Sequence, residues 1–586
     1  HNIIYANSQM NGLYMYDMKI RRSKSIRPKA SLNDPPYRFN WNSPIYISPH
    51  DPKTIYTGGN YLFKTTNAGQ SWKIVSPDLS TNDPEKLRDS GGPITLDNTG
   101  AEIHCTIITI SESPVKKGVI WCGTDDGNVQ ITKDNGGTWE NVVKNIKMLP
   151  ANTWCSRIEA SHFDAGTAYA AFDGHRNDDY NTYVYKTTDY GKTWESIKGN
   201  LPFGWIHVIR EDLKNKRLLF IGTEFGIYAS LDSGKTWFSL KNNMPTAAVR
   251  DIAIHPRDND LIIGTHGRGI WILDDISPLQ EMTEEVLQSD FNLFSIRPAT
   301  QYFPSTTKES FSKPDYSAKN PPYGMSITVY LKENTKEKPK IYIKNDAGEK
   351  IFEIRISIKK GIQRHTWNLQ YVPKTKEGKK LKPGMSGFVG LPYASAGEYS
   401  VELIAGNNKI LKTGIVCHDP RIQIDEKSKA LQTEILVEVL LISKKMALSV
   451  TSVKNIRRQL EKLNKDFLKQ EDIDETVQNT LKNFDKKFSK LEKDITPKGF
   501  GYRGSMEMAL RGGSLSQMIM SLGMSIGEYP HAPTENDLFQ LDEFKKAVDL
   551  LVERLNKLIE YDLAGLNETL ENHDIKPLKM PKQIKL

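Results

Sequence analysis

Lys133-Asp134-Asn135-Gly136-Gly137-Thr138-Trp139 is the stretch on which the fold turns, because the chain repeats it. It has three partners: Thr66-Asn67-Ala68-Gly69-Gln70-Ser71-Trp72, Thr188-Asp189-Tyr190-Gly191-Lys192-Thr193-Trp194 and Leu231-Asp232-Ser233-Gly234-Lys235-Thr236-Trp237. The tryptophans are 67, 55 and 43 residues apart, a spacing suited to a unit of four short strands with loops of varying length. An alternating β-type run precedes each phrase, at 61–64, 128–132, 182–186 and 226–230. The phrase itself reads as a tight turn between strands. Asp or Asn accepts hydrogen bonds from its own turn backbone, and Gly supplies a positive φ that a β-carbon would resist. Thr or Ser restarts the strand, and Trp then fills the space between neighbouring sheets.

A second recurrence lies upstream: an apolar strand ending in Gly, at Gly58, Gly123, Gly222 and Gly264. Before it comes a further strand, at 44–48, 104–110, 155–161, 206–210 and 250–255. Four antiparallel strands per unit, repeated, predict the blades of a β-propeller. Five blades are expected between 43 and 279, the last without its Asp phrase. An earlier pair of runs, at 3–6 and 12–17, reads as the middle of another blade whose inner strand is missing. That half-blade, and an opening His1 in place of Met, lead us to expect a chain truncated at its N-terminus.

The four phrases resemble the Asp-box, or BNR, repeat, and the chain is similar to sortilin-type BNR-repeat propeller proteins of Bacteroidota, as a C-terminal portion of one. Tyr37-Arg38-Phe39-Asn40-Trp41-Asn42, Gly123-Thr124-Asp125-Asp126-Gly127 and Gly264-Thr265-His266-Gly267-Arg268-Gly269 carry the resemblance further. It implies a large secreted protein with one or two propellers before a C-terminal region. It says little about function, because Asp boxes occur in sialidases, xyloglucanases, sortilins and adhesive propellers alike.

Beyond the propeller (1–300), a linker is expected at 301–324, rich in Pro, Ser and Thr. The run 291–296 would either supply a last propeller strand or enter the next domain. Six or seven strands within 325–419 predict an immunoglobulin- or fibronectin-like β-sandwich. The period then becomes helical. Leu541, Phe544, Val548, Leu551, Leu555 and Leu558 step by three and four residues along one face. We expect an antiparallel helical bundle over 427–575, followed by an extended tail at 576–586. The expected fold class is therefore mainly β with an α-helical C-terminal region.

Composition excludes several classes. Of 586 residues, 38% are hydrophobic and 26% charged, as in an ordinary globular chain. The net charge of +8 is thinly spread, so no nucleic-acid footprint is expected. No apolar run approaches the length of a membrane span. Four cysteines, Cys105, Cys122, Cys155 and Cys417, make neither a disulfide framework nor a zinc site. Phosphate-loop, His-Glu-x-x-His and Gly-x-Ser-x-Gly motifs are absent from the sequence. Asp125-Asp126-Gly127-Asn128 lacks the later acidic ligands of a calcium loop, so no metal or cofactor is expected.

Candidate chemistry divides between the two propeller faces. Asp134, Asp189 and Asp232, with Trp72, Trp139, Trp194 and Trp237, belong to the Asp-box turns and read as structural. The opposite turns carry Asn60, Asp125, Asp126, Asp173, His175, Glu224, His266 and Arg268, which would gather around a common rim. There Asp125, Asp126 and Glu224 are candidate general acids and bases for a glycoside, and His175, His266 and Arg268 candidate binding residues. No complete catalytic set is defensible from these residues. The preferred reading is therefore a secreted or cell-surface scaffold that binds a protein or glycan, in an extracellular or periplasmic setting. Outer-membrane proteins, or a missing N-terminal portion, are expected as partners. The alternative is a glycoside hydrolase of the Asp-box propeller type using the rim carboxylates.

Overall fold

The computed structural model describes residues 2–91, 94–96, 103–302, 319–374, 378, 381, 391–422, 424–467, 474–496, 514–529 and 531–585. Most of the 301–324 linker lies outside them. Two compact units divide at Gln288 and Ser289.

Among the described residues, the first unit has six small antiparallel meanders. Four have four strands each: Ile45–Ile47, Ile55–Gly58, Leu62–Thr65 and Lys73–Ile74; Ile107–Glu112, Ile120–Thr124, Val129–Thr132 and Glu140–Asn141; Trp154–Ala160, Ala168–Asp173, Tyr183–Thr187 and Glu195–Ser196; and Ile206–Glu211, Leu219–Thr223, Gly226–Ser230 and Phe238–Ser239. A three-stranded sheet precedes them (Ile3–Ser8, Gly12–Asp17, Arg22–Ser25), and another follows (Val249–Ile254, Leu261–Thr265, Ile270–Leu273). From the second sheet to the sixth, the first strands of successive sheets lie side by side, as the blades of a propeller do. Hydrogen bonds tie these strands together: Thr109 Oγ1 accepts from the Ile158 amide, and Ser111 Oγ from the Ala160 amide.

The Gly-ended strands have a packing cause. A β-carbon on Gly123 would meet Cys155 Sγ at 2.5 Å, and one on Gly222 would meet Val249 Cγ1 at 2.6 Å. Each glycine thus lets the first strand of the following sheet approach closely. The repeated phrase has a second cause. Its Gly takes a positive φ, as at Gly136 (98°) and Gly234 (91°), and so does the residue before it, Asn135 (64°) and Ser233 (64°). The turn then leans on the preceding sheet. Trp72 Nε1 donates to the Ile26 carbonyl (2.6 Å), Trp139 Nε1 to Val75 (3.0 Å) and Trp237 Nε1 to Ile197 (2.9 Å). Trp194 differs, donating to Gly191 in its own turn. Val75 and Ile197 directly follow fourth strands, and Ile26 directly follows Arg22–Ser25. The first sheet therefore supplies the equivalents of second, third and fourth strands.

In the second unit, Phe291–Leu293 pairs with Met325–Leu331, and Ala299–Gln301 pairs in parallel with Asn408–His418. Residues 289–301, placed by the sequence at the end of the propeller and the start of the linker, thus belong here. A three-stranded and a five-stranded sheet share one core, with Ile327, Val329 and Trp367 on one side and Ile343, Val401 and Leu403 on the other. Helices follow at Glu426–Phe467, Glu475–Ile495, Leu515–Glu528 and Glu535–Lys557, the last continuing through a π-turn (Leu558–Leu563) into Ala564–Glu571. Thr534 and Asp537 form a reciprocal capping box at the start of Glu535–Lys557. Leu541, Val548, Leu551 and Leu555 are buried in one core with Phe484, Phe488 and Leu460. No described helix is long and apolar enough to cross a membrane.

Candidate functional site

The Asp-box carboxylates are bound into their own turns. Asp134 Oδ1 accepts from the Thr138 amide (2.9 Å) and from Thr132 Oγ1 (2.7 Å), while Oδ2 accepts from Thr138 Oγ1 (2.7 Å). Asp189 and Asp232 repeat the pattern with Thr193 and Thr187, and with Thr236 and Ser230.

On the opposite face the candidates separate. Asp125 and Asp126, read from the sequence as rim carboxylates, are 2% and 1% exposed. Asp125 accepts from the Thr106 amide (2.8 Å), Thr106 Oγ1 (2.7 Å) and Asn40 Nδ2 (2.8 Å). Asp126 accepts from the amide and hydroxyl of Thr81, both at 2.6 Å, and from Thr124 Oγ1. Burial pushes the Asp125 carboxyl above the usual aspartate range. These two side chains lace loops to the third sheet and are not open to a ligand. The turn signature Asp-Asp-Gly concealed this, because the partners Asn40, Thr81 and Thr106 are distant in sequence. His266 and Arg268 are exposed on the turn after Leu261–Thr265. Among the described residues, no ion pair or ring contact joins either to the cluster described next.

Asp173, His175 and Glu224 do come together, around residues that the turn pattern missed. His175 stacks on Trp205, ring centroids 4.8 Å apart and planes at 22°. Tyr180, Phe225 and His207 surround the same indole at 5.7, 6.4 and 6.4 Å. Asp173 Oδ1 lies 2.5 Å from His175 Nδ1, and Arg176 covers the Trp154 ring at 4.2 Å. His207 Nε2 lies 2.8 Å from Glu224 Oε2, and its Nδ1 faces Arg250 Nη1 at 3.4 Å. A guanidinium only donates, so Nδ1 accepts and the imidazole proton sits on Nε2, donated to Glu224. Burial holds the His207 pKa below its ordinary value, in keeping with a neutral ring. Asp173 on one sheet and Glu224 on the next thus each hold an imidazole, His175 and His207, and both imidazoles lie against the Trp205 ring.

Trp154 opens the first strand of one sheet and Trp205 directly precedes the first strand of the next, in Thr153-Trp154-Cys155 and Gly204-Trp205-Ile206. That repetition was the readable signal. The turns between second and third strands hold more titratable residues and so mask it in the sequence. The arrangement has the parts that sugar recognition uses: flat rings for the apolar face of a pyranose, and polar groups at their edges for hydroxyls. Among the described residues no cluster of His, Cys, Asp and Glu is arranged to hold a metal ion.

Residues 182–288 match the family model described as sortilin, neurotensin receptor 3. The chain is 25% identical over 209 residues to an oligoxyloglucan-reducing end-specific xyloglucanase of Emericella nidulans, covering 35% of this chain and 23% of that protein. A probable enzyme of the same description from Neosartorya fischeri is 22% identical over 214 residues, with 35% and 23% covered. The chain thus matches less than a quarter of the length of these curated relatives. Among solved structures, the GH74 xyloglucanase of Xanthomonas campestris aligns with 48% of this chain and 51% of its own, at 15% identity and a TM-score of 0.32.

Proposed function

We propose that the first unit recognises a polysaccharide across the Trp205 rim and hydrolyses a glycosidic bond there. The observation that carries this reading is Trp205 itself, ringed by His175, Tyr180 and Phe225 with Glu224 and Asp173 close by. Glycoside hydrolysis takes two carboxyl groups flanking the scissile bond, one protonating the leaving oxygen and one acting as base or nucleophile. Glu224, oriented by His207, has 28% of its side chain exposed on this rim, whereas Asp173, held by His175 and Arg176, is 3% exposed and as buried as Asp125, so Glu224 is the carboxyl group this proposal assigns to the chemistry. The sequence likeness to oligoxyloglucan-specific enzymes supports a branched β-glucan of the xyloglucan class as substrate. An extracellular or periplasmic location follows from such a substrate. The two-sheet segment, an immunoglobulin-like sandwich in this reading, and the helical bundle are accessory to the face.

Binding without turnover is the second reading. It is favoured by the cations on both carboxylates: Arg250 lies 3.8 Å from Glu224 and Arg176 3.6 Å from Asp173. Incubating the full chain with xyloglucan oligosaccharides, and measuring both new reducing ends and binding, separates the two. Hydrolysis lost in Glu224→Gln, with binding retained, supports the enzyme. Binding without hydrolysis, lost only in Trp205→Ala, supports the scaffold. Neither binding nor hydrolysis, across xyloglucan and unbranched β-glucans, overturns both.

A further inference from the structure

Residues 575–585 read Ile-Lys-Pro-Leu-Lys-Met-Pro-Lys-Gln-Ile-Lys, and the pattern has a period of three. Ile575, Leu578, Pro581 and Ile584 form one row, and Lys576, Lys579, Lys582 and Lys585 another. Burial follows the same period. Leu578 and Ile584 are 7% and 8% exposed, Ile575 and Pro581 are half-buried, and the residues between them are exposed. Three residues per turn is the polyproline II repeat, in which φ is near that of proline and the backbone makes no internal hydrogen bonds. Among the described residues, Lys576 through Lys585 make no backbone–backbone hydrogen bond.

The backbone is satisfied instead by side-chain amides from the helices. Asn567 Nδ2 donates to the Leu578 carbonyl and Asn567 Oδ1 accepts from the Leu578 amide, both at 2.8 Å. Gln459 makes the same two-point contact with Lys579, at 3.2 and 2.7 Å, and Asn556 with Ile584, at 3.2 and 3.0 Å. Three carboxamides from Glu426–Phe467, Glu535–Lys557 and Ala564–Glu571 thus each read one residue's N–H and C=O. Leu578 and Ile584 enter the bundle core, with Ile575 packed against it. The four lysine ammonium groups make no ion pair among the described residues.

We propose that the helical bundle is a receptor for a polyproline II peptide with an apolar residue at every third position, and that 575–585 is its ligand in cis. The clamps are two-point contacts to backbone and do not read side chains. Selectivity then comes from the apolar row and from the two prolines, which hold the segment extended before it docks. The lysine row faces solvent and adds nothing to the docking.

The test uses the full chain shortened after Asp574, titrated with a labelled synthetic peptide of residues 575–585. Saturable binding is expected. It should weaken at least ~10-fold when Leu578 and Ile584 of the peptide are replaced by Asp, and change less than ~2-fold when its four lysines become Gln. No binding to the folded, shortened chain, or affinity carried by the lysines, overturns the proposal. Hydrogen exchange on the intact protein decides the matter if the shortened chain does not fold. Asn567→Ala and Gln459→Ala should speed exchange at Leu578 and Lys579 at least ~10-fold and leave Glu535–Lys557 unchanged. Exchange of the strap in step with that helix, in wild type and variants alike, overturns it.

Discussion

The phenol of Tyr169 donates to Glu211 Oε1 at 2.9 Å, joining the second strand of one sheet to the first strand of the next. Both residues are buried. Glu211 also accepts from Ser161 Oγ and from the His162 amide. Two sheets earlier, burial and then the charge of Glu112 raise the Tyr56 phenol above its ordinary range. Glu211→Ala strands three buried donors at one seam and should cost about 2–4 kcal/mol. Tyr169→Phe leaves Ser161 and His162 paired and should cost about 1 kcal/mol. Urea unfolding followed by tryptophan fluorescence measures both; equal losses would contradict a shared acceptor.

The Asp-box turns should be sensitive to acid. Three hydrogen bonds, led by the Thr138 amide and followed by the Thr138 and Thr132 hydroxyls, pull Asp134 down to about 2 from its ordinary 3.8. Burial acts most strongly on Asp189 and Asp232 and raises them, but the Thr193 and Thr236 donors outweigh it and the net shift is downward. A lowered carboxyl contributes stability that is complete above its unfolded value and is lost as pH falls through the folded one. The Thr138 amide resonance should therefore titrate near pH 2. Burial raises Glu211, whose sign is opposite: it favours the fold at low pH and loses that contribution as pH rises through its folded value. A Thr138 midpoint near 4 would show that the turn does not hold its carboxylate.

Trp237 and Trp194 should not be equivalent, although their phrases match in sequence. Trp237 is 5% exposed, bonds to Ile197 of the preceding sheet and sits in a core with Leu201 and Ile221. Trp194 is half-buried and bonds within its own turn. Trp237→Ala should cost about 3–5 kcal/mol and Trp194→Ala distinctly less. Thermal unfolding of the two variants side by side checks the order.

These contrasts show where sequence reading succeeded and where it stopped. The repeated turn was legible because every determinant lies within seven residues: the acceptor, the glycine with positive φ and the restarting Thr. The Gly-ended strands were legible as a recurrence, though not as the close approach of Cys155 to Gly123, which needs the next sheet in place. The rim failed for the opposite reason. Asp125 is defined by Asn40 and Thr106, and Trp205 by His175, Tyr180 and Phe225. Neither set forms a local pattern. Glu211 was invisible for a third reason: a carboxylate ending an inner strand looks like a solvated turn until its three donors are seen.

Asp125 and Glu224, both read from the sequence as catalytic candidates, should part company on substitution. Asp125 is buried and accepts three hydrogen bonds, so Asn in its place turns an NH2 toward a donor and leaves a buried pair unmatched. The expected cost is about 1–3 kcal/mol, seen as a lower Tm. Because the side chain does not reach the rim, kcat/KM on a xyloglucan oligosaccharide should stay within ~2-fold of wild type at a temperature where the variant is folded. Glu224 has 28% of its side chain exposed and keeps its shape as Gln, so Tm should move little. Its loss removes the carboxyl group exposed on the rim, and turnover should fall by at least ~100-fold. A chain in which Asp125→Asn abolishes hydrolysis at full stability would return the chemistry to the buried aspartates.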